Sequence, residues 1–136
     1  MLDLFAGSGA LGLEALSRGA AHVNFVEQDR IAAAAIAALA REWHEESVSV
    51  ECSDALGWLA RHPGEVKFDV VFVDPPYDTQ LLAAALAALA VQPALAPGAR
   101  VYVEHRAREP LPQLPAGWQN VREGRAGEVG YHLLAT

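Results

Sequence analysis

The sequence predicts an α/β fold with a mostly parallel, twisted sheet, helices on both faces and an antiparallel hairpin at the C-terminal end. Short apolar runs of strand character alternate with alanine-rich and leucine-rich segments of helical period along most of the chain. Parallel strands need crossover connections, and helices of this kind provide them. The last two strand-like runs are separated only by turn-forming and charged residues, so we expect them to pair as a hairpin.

The first half of the chain is predicted to contain three strands and two helices. We expect strands at 1–5, 21–26 and 48–52, a glycine turn at 6–12, and helices that end at Arg18 and near His44. Ser8 is a plausible N-cap of the first helix. Asp29 can cap the second helix, and its Ile31, Ala35 and Leu39 recur at helical spacing, which predicts the face that packs on the sheet.

The second half of the chain is predicted to alternate in the same way and then to become all-β. We expect helices at 55–61 and 79–91, and strands at 68–73, 98–104, 118–124 and 129–135. Pro93 and Pro97 stop the helix that precedes them, because proline lacks the N–H donor that a helix needs. A proline-rich linker at 110–115 leads to the final hairpin.

Composition limits the classes to which the chain can belong. At 136 residues and 52% hydrophobic, it is predicted to be one domain, 1–136, and a monomer. The net charge of −7 argues against an extended nucleic-acid-binding surface. The single cysteine, Cys52, falls in a predicted strand and is expected to be a buried small hydrophobe, and the five histidines show no ligand spacing, so we expect no metal. With no long apolar run and no signal peptide, we expect a cytoplasmic protein without membrane contact.

Four residues directly after the predicted strand 68–73 are suited to presenting chemistry: Asp74, Pro75, Pro76 and Tyr77. The prolines end the strand and leave carbonyl groups pointing beyond the sheet edge. Open α/β sheets bind their ligands at that edge.

A second loop carries the spacing Gly7-x-Gly9-x-x-Gly12 between a strand and a helix. In the dinucleotide fingerprint these glycines allow the backbone to approach a ligand closely. Glu27, at the end of the second strand, is the acid expected to accept hydrogen bonds from ribose hydroxyls. These features fit an NAD site and an S-adenosylmethionine site equally well.

Acidic residues lie at the ends of four consecutive predicted strands. They are Asp3, Glu27, Asp54 and Asp74. Because the carboxyl ends of parallel strands share one sheet edge, we expect these side chains to converge on one crevice. Asp54 could meet the exocyclic amine of an adenine ring, or it could simply cap the helix that follows it.

Residues 3–20, 73–77 and 127–131 together closely resemble the RsmD family of methyltransferases, along the full length of the chain. The resemblance implies a Rossmann-like class I methyltransferase fold. It also implies transfer of a methyl group from S-adenosylmethionine to the N2 amine of a guanine in 16S ribosomal RNA. The partner implied is this RNA in the small ribosomal subunit or in an assembly intermediate.

The resemblance also assigns roles by position. The residues implied to bind the cofactor are Asp3, Phe5, Gly7, Ser8 and Gly9 for the methionine part, Glu27 for the ribose, and Asp54 with Ala55 for the adenine side. Gln28 is also expected to bind the cofactor. The residues implied to be catalytic are Asp74, Pro75, Pro76 and Tyr77. The family also has a basic segment before its first strand, so we expect this chain to be a truncated piece that could lack activity as it stands. Of the basic residues present, five arginines could contact phosphate: Arg100, Arg106, Arg108, Arg122 and Arg125.

Two other functions stay open. A DNA adenine-N6 methyltransferase can carry the same Asp-Pro-Pro-Tyr sequence, although such enzymes usually need an added recognition region. An NAD-binding oxidoreductase, or a non-catalytic nucleotide-binding module, would use Gly7, Gly9, Gly12 and Glu27 but would leave Asp-Pro-Pro-Tyr without a role.

Overall fold

A seven-stranded sheet forms the centre of the computed structural model, which describes residues 1–62, 64–76 and 79–136. Its strands are β1 Leu2–Asp3, β2 Val23–Glu27, β3 Val48–Cys52, β4 Phe68–Val73, β5 Leu95–Arg106, β6 Gln119–Ala126 and β7 Val129–Ala135. They lie in the order β3-β2-β1-β4-β5-β7-β6. Strands β1 to β5 pair in parallel, and β7 runs antiparallel to both β5 and β6. The predicted mostly parallel sheet with a C-terminal hairpin is therefore confirmed.

Four helices connect the parallel strands in the part of the chain that the structure describes. They are α1 Ala10–Ser17, α2 Arg30–Glu42, α3 Ala55–Arg61 and α4 Thr79–Val91. The predicted cap of α2 is confirmed, because the Asp29 carboxylate accepts hydrogen bonds from the backbone N–H groups of Ile31 and Ala32. Helix α4 ends before Pro93, as the proline pattern predicts.

The core is divided by the sheet, because side chains on neighbouring strand positions point to opposite faces. On one face, Val23 and Phe25 of β2 pack with Ile36 of α2 and with partly buried leucines of α1. On the other face, side chains of β1, β4 and β5 pack against α3 and α4 in the larger cluster. Helices therefore cover both faces, as predicted.

Strands β1 and β5 differ most in length from the prediction. Strand β1 ends at Asp3, although Leu4 N–H still donates to the Phe72 carbonyl (3.1 Å) and Ala6 N–H to the Val26 carbonyl (3.0 Å). These two bonds go to different neighbouring strands, because the chain is already turning into the glycine loop. Strand β5 begins at Leu95 rather than at residue 98, and its pairing with β4 shifts register between Phe68 and Val70.

Two packing predictions were wrong. The buried face of α2 is formed by Ala33, Ile36 and Ala40, whereas Ile31 is 84% exposed. Alanine occupies so many positions that the spacing alone did not fix which face turns inward. Cys52 is exposed rather than buried, because β3 is the edge strand of the sheet and its last residues face solvent.

None of the helices in the described ranges has both the length and the apolar character needed to cross a bilayer.

Candidate functional site

A cavity of about 970 Å³ opens at the carboxyl ends of the parallel strands. In the strand order, β1 lies between β2 and β4, and the direction of chain progression reverses there. Ligands of open α/β sheets bind at this reversal point. The cavity is lined by the glycine loop, the ends of β2 and β3, the Asp-Pro-Pro turn, and residues at the ends of β5, β6 and β7.

The glycine loop between β1 and α1 depends on backbone conformations that favour glycine. Gly7 and Gly9 have φ values of 57° and 83°. A Cβ atom added at Gly7 would meet no atom of the described residues within 4 Å, so the backbone is openly accessible to them there. The cap prediction at Ser8 was wrong: α1 begins after Gly9, whose left-handed conformation makes it the N-cap without a side-chain hydrogen bond. Ser8 is exposed and lines the cavity instead.

Gly9 and Gly12 serve packing rather than lining the cavity. A Cβ atom at Gly9 would lie 3.2 Å from the Ile36 side chain, and one at Gly12 would lie 2.3 Å from the Phe25 ring. Gly12 is therefore the glycine that allows α1 to pack closely on β2. Gly9, which the resemblance assigned to the cofactor, is absent from the residues that line the cavity.

Asp3 joins β1 to the start of α1. Its Oδ2 accepts a hydrogen bond from Gly12 N–H at 3.2 Å, and the residue is 1% exposed. Its Oδ1 is buried and has no hydrogen-bond partner among the described residues. Burial raises the pKa of Asp3 to about 7, opposed by the Gly12 hydrogen bond and reinforced by the charges of Asp74 and Glu27.

Glu27 connects the glycine loop to the turn that follows β2. Its Oε1 accepts a hydrogen bond from Gly7 N–H at 2.8 Å, and its Oε2 accepts one from Asp29 N–H at 2.7 Å. Each carboxylate oxygen has a second lone pair, so hydroxyl groups of a ligand can still be accepted. Glu27 thus fixes the glycine loop against the end of β2 in addition to facing the cavity.

The end of β3 supplies a second capped turn at the cavity wall. Asp54 Oδ2 accepts a hydrogen bond from Gly57 N–H at 2.8 Å, so this side chain caps α3. Gln28, Asp54 and Ala55 all line the cavity, and Ala55 is buried at the start of α3. Its role as a cap leaves only part of the Asp54 carboxylate available to a ligand.

The turn after β4 places polar groups opposite the glycine loop. Asp74 is exposed to the cavity, Pro75 is buried beneath it, and Pro76 is exposed. Desolvation within the cavity raises the pKa of Asp74 to about 6, and the charge and hydrogen bond of Glu104 act in the same direction. Tyr77, the fourth residue predicted to be catalytic, lies outside the described residues.

Glu104 is a site residue that the sequence reasoning missed. Val73 of β4 pairs with Val103 of β5, which places Glu104 beside Asp74 at the edge of the sheet. Glu104 ends the predicted strand 98–104, although β5 itself continues to Arg106. An acid at a strand end is the same signal that identified Asp3, Glu27, Asp54 and Asp74.

The arginines predicted to contact phosphate divide into two groups. Arg106, Arg108 and Arg125 line the cavity, at the ends of β5 and β6. Arg100 lies in the middle of β5 and does not line the cavity; its guanidinium donates to the Gly98 carbonyl, and Arg122 is exposed on β6. Within the described ranges, no group of three or more His, Cys, Asp or Glu residues could hold a metal ion.

The glycine loop and the Asp-Pro-Pro turn therefore face one cavity. Comparison with known proteins identifies the family to which this sequence is similar. The family model described as Conserved hypothetical protein 95 matches residues 1–135. Ribosomal RNA small subunit methyltransferase D of Escherichia coli K12 is 40% identical over 132 residues, which are 97% of this chain and 66% of that protein. The Haemophilus influenzae protein of the same name is 37% identical over 134 residues, covering 97% of this chain and 69% of its own length.

Structural comparison agrees with the sequence comparison. The solved structure of the Escherichia coli protein yhhF superposes with a TM-score of 0.89 at 39% identity, over 98% of this chain and 73% of that one. The chain thus spans about two thirds of the length of the Escherichia coli relative that it matches. A family model that covers nearly every residue, together with these relatives, shows that the chain belongs to the RsmD family.

Proposed function

We propose that this chain forms the catalytic domain of an S-adenosylmethionine-dependent methyltransferase that modifies the exocyclic N2 amine of a guanine in 16S ribosomal RNA. The observation that carries the proposal is that the glycine loop and the Asp74-Pro75-Pro76 turn line the same cavity. A glycine loop alone would fit several nucleotide cofactors, whereas an acid followed by prolines opposite that loop fits the orientation of a planar amine. The name of the relatives, ribosomal RNA small subunit methyltransferase D, supports ribosomal RNA of the small subunit as the substrate.

The cavity suits the proposed cofactor in size and in chemistry. Its volume of about 970 Å³ is within the range of small-molecule sites. The open backbone at Gly7 and the buried, unpartnered Oδ1 of Asp3 provide polar groups at the methionine end. Glu27 and Asp54 provide carboxylates at the ribose and adenine ends. Burial is the main reason why the pKa of Asp3 is raised, and repulsion by Asp74 and Glu27 adds to it; a cationic ligand would relieve that repulsion.

The chemistry required of the protein is mainly orientation. When bound, S-adenosylmethionine supplies a methyl group on a sulfonium centre, which is already a strong electrophile. The lone pair of an exocyclic amine is delocalised into the base, so the amine is a poor nucleophile. If the Asp74 carboxylate and the Pro75 carbonyl accept its two N–H bonds, the lone pair is directed toward the methyl carbon. Such alignment is worth several kcal/mol of barrier, roughly 7 to 11 at its upper limit.

Substrate binding is proposed to use a ring and a cationic rim. Tyr77 stays a prediction as the ring that stacks on the extruded base, for about 1–3 kcal/mol. Arg106, Arg108 and Arg125 lie at the cavity wall, where phosphates flanking that base would pass.

Incorporation of labelled methyl groups tests the proposal. The full product of the gene that encodes this chain is incubated with methyl-labelled S-adenosylmethionine and either small ribosomal subunits lacking the modification or adenine-containing DNA duplexes. We expect label in the ribosomal RNA only. Label in the DNA would instead identify an adenine methyltransferase, and tighter binding of NAD than of S-adenosylhomocysteine would identify a dinucleotide-binding protein.

A further inference from the structure

Glu104 and Asp74 form a carboxyl pair at the cavity wall. They follow the paired residues Val103 and Val73 on adjacent parallel strands, so their carboxyl groups lie side by side where both residues line the cavity. Two adjacent carboxylates repel each other, so the first proton that binds to the pair is held more tightly than it would be on an isolated carboxylate. A proton bound by the pair would lie in the cavity, where the proposed amine would react.

A hydrogen bond from a tyrosine hydroxyl fixes the orientation of the Glu104 carboxylate. The Tyr102 hydroxyl donates to Glu104 Oε1 at 2.9 Å. The ring of Tyr102 packs edge-on against Phe72, with centroids 5.9 Å apart, and stacks near Tyr131 at 6.4 Å. Desolvation and the neighbouring carboxylate raise the pKa of Tyr102 far above its ordinary value, so its hydroxyl stays a donor at any working pH.

We propose that Glu104 is a positioning residue that shares a proton with Asp74, so that the pair takes up the proton lost by the amine during methyl transfer. This role rests on the proposed function and adds to it a residue that acts through Asp74. The proposed role explains why a second carboxylate lies next to Asp74. Without it, Glu104 would only repel the negative charge of Asp74, which is needed to accept the amine N–H.

Transfer of the methyl group to the amine is followed by loss of a proton to the carboxyl pair. The amine nitrogen bonds to the methyl carbon while the carbon–sulfur bond breaks and its electron pair stays on sulfur. The nitrogen, now cationic, loses a proton: the N–H bond breaks, its electron pair stays on nitrogen, and the proton passes to the Asp74 carboxylate. Asp74 then donates this proton in a hydrogen bond to the Glu104 carboxylate. Water in the cavity takes it up when the product leaves.

The charge of Glu104 makes Asp74 a better base, because the first proton on a carboxylate pair relieves the repulsion between the two groups. The pKa of Asp74, raised to about 6 by desolvation and then by Glu104, agrees with this geometry. Other described groups act on the pair: Asp3 from β1, Tyr102 from β5 and, through Tyr102, Tyr131 from β7. Charged residues that line the same cavity are Glu27, Asp54, Arg106, Arg108, Glu109, Arg125 and Glu128.

Single-turnover methyl transfer at a series of pH values tests the role of Glu104 in the full gene product. For the wild type we expect the rate to fall below about pH 6, where the pair is already protonated. In Glu104→Gln this fall should move at least about one pH unit lower, and the rate at neutral pH should drop by about tenfold, since Asp74 becomes a weaker base. In Tyr102→Phe the fall should move to higher pH, because Glu104 loses the donor that stabilises its charge.

These opposite shifts distinguish a proton-sharing pair from a structural contact. A Glu104→Gln enzyme with the wild-type rate and pH profile would overturn the proposal. If Glu104→Gln does not fold, as judged by its thermal unfolding, the Tyr102→Phe profile decides. A shift to lower pH, or no shift, in that variant would equally contradict the pair.

Carboxyl ¹³C NMR titration provides a measurement that does not depend on activity. We expect the Asp74 carboxyl to titrate near pH 6 in the wild type and at least about one unit lower in Glu104→Gln. Identical Asp74 titration in both proteins would refute the shared proton. The expected difference in Asp74 titration, found together with a wild type that transfers no methyl group, would refute the methyltransferase function and with it the catalytic use of the pair.

Discussion

Asp3 is a carboxyl group that the fold encloses almost completely. Only one of its oxygens receives a hydrogen bond within the described part of the chain, from Gly12 N–H. Its pKa is raised to about 7 because burial disfavours the charged form. The free energy of folding must therefore depend on pH through this residue.

The sign of that dependence follows from the number of protons bound. Between about pH 4 and pH 7 the folded chain keeps the Asp3 proton, whereas the unfolded chain has lost it. Stability should therefore fall as pH rises through this window, by at most about 1.4 kcal/mol per unit, and level off above it. Asp74 contributes with the same sign only up to about pH 6, so the Asp3 contribution is measured between pH 6 and 7.

Urea unfolding at pH 6 and pH 7 checks this expectation. Asp3→Asn should lose most of the difference in unfolding free energy between the two pH values. Asp69→Asn, an exposed acid on β4, should keep it. An undiminished pH dependence in Asp3→Asn would show that Asp3 is ionised in the folded chain.

At the scale of elements, the close packing of α1 on β2 depends on Gly12. The Phe25 ring occupies the space that a Cβ atom would need there. Gly12→Ala should therefore lower the free energy of unfolding by about 1–3 kcal/mol, because Phe25 must move within a packed cluster. Chemical denaturation measures this loss.

Gly7→Ala is the matched comparison on the same loop. Within the described part of the chain no atom lies within 4 Å of its Cβ position, so the expected penalty is that of the left-handed conformation, about 1–2 kcal/mol. Its added methyl group should instead weaken binding of S-adenosylhomocysteine, measured by calorimetry. Binding that is unchanged in Gly7→Ala would mean that the cofactor does not approach this loop.

The elements show what the sequence could predict. Strand β4 and helices α3 and α4 were predicted with the observed bounds, because strand runs, proline and helix caps are local signals. The inward face of α2 was not, because an alanine-rich helix has no dominant apolar stripe and its rotation is set by the sheet. Ser8 was predicted as a cap from its residue type alone, whereas the left-handed backbone of Gly9 decides where α1 begins.

The candidate site was predictable to a similar degree. The acids at strand ends and the Asp-Pro-Pro turn lie at the cavity because strand order brings them to one edge. The pairing of Glu104 with Asp74 depends on the register between β4 and β5, which residue spacing does not determine. The dual contact of Glu27 with Gly7 and Asp29 likewise arises only when two loops meet.

At the scale of the whole molecule, a net charge of −7 coexists with arginines at the cavity. The proposed RNA substrate would therefore be attracted locally rather than by the molecule as a whole. Arg108 and Arg125 are exposed and lie at this rim.

Salt dependence of RNA binding tests that local attraction. Changing Arg108 and Arg125 together to alanine should reduce the slope of log Kd against log salt by about 1–2, at roughly 0.7–0.9 per phosphate contact. Arg100→Ala should leave the slope unchanged, because Arg100 does not line the cavity. An equal reduction by Arg100→Ala would place the RNA elsewhere on the molecule.

The most direct test of the central claim is nucleoside mass spectrometry of small-subunit RNA after incubation with the full gene product and S-adenosylmethionine. Wild type and the exposed-acid control Asp69→Ala should both yield N2-methylguanosine, and Asp74→Ala should reduce it by about a hundredfold or more, because the amine loses its oriented acceptor. A methyl group on another base, or equal modification by Asp74→Ala, would contradict the account.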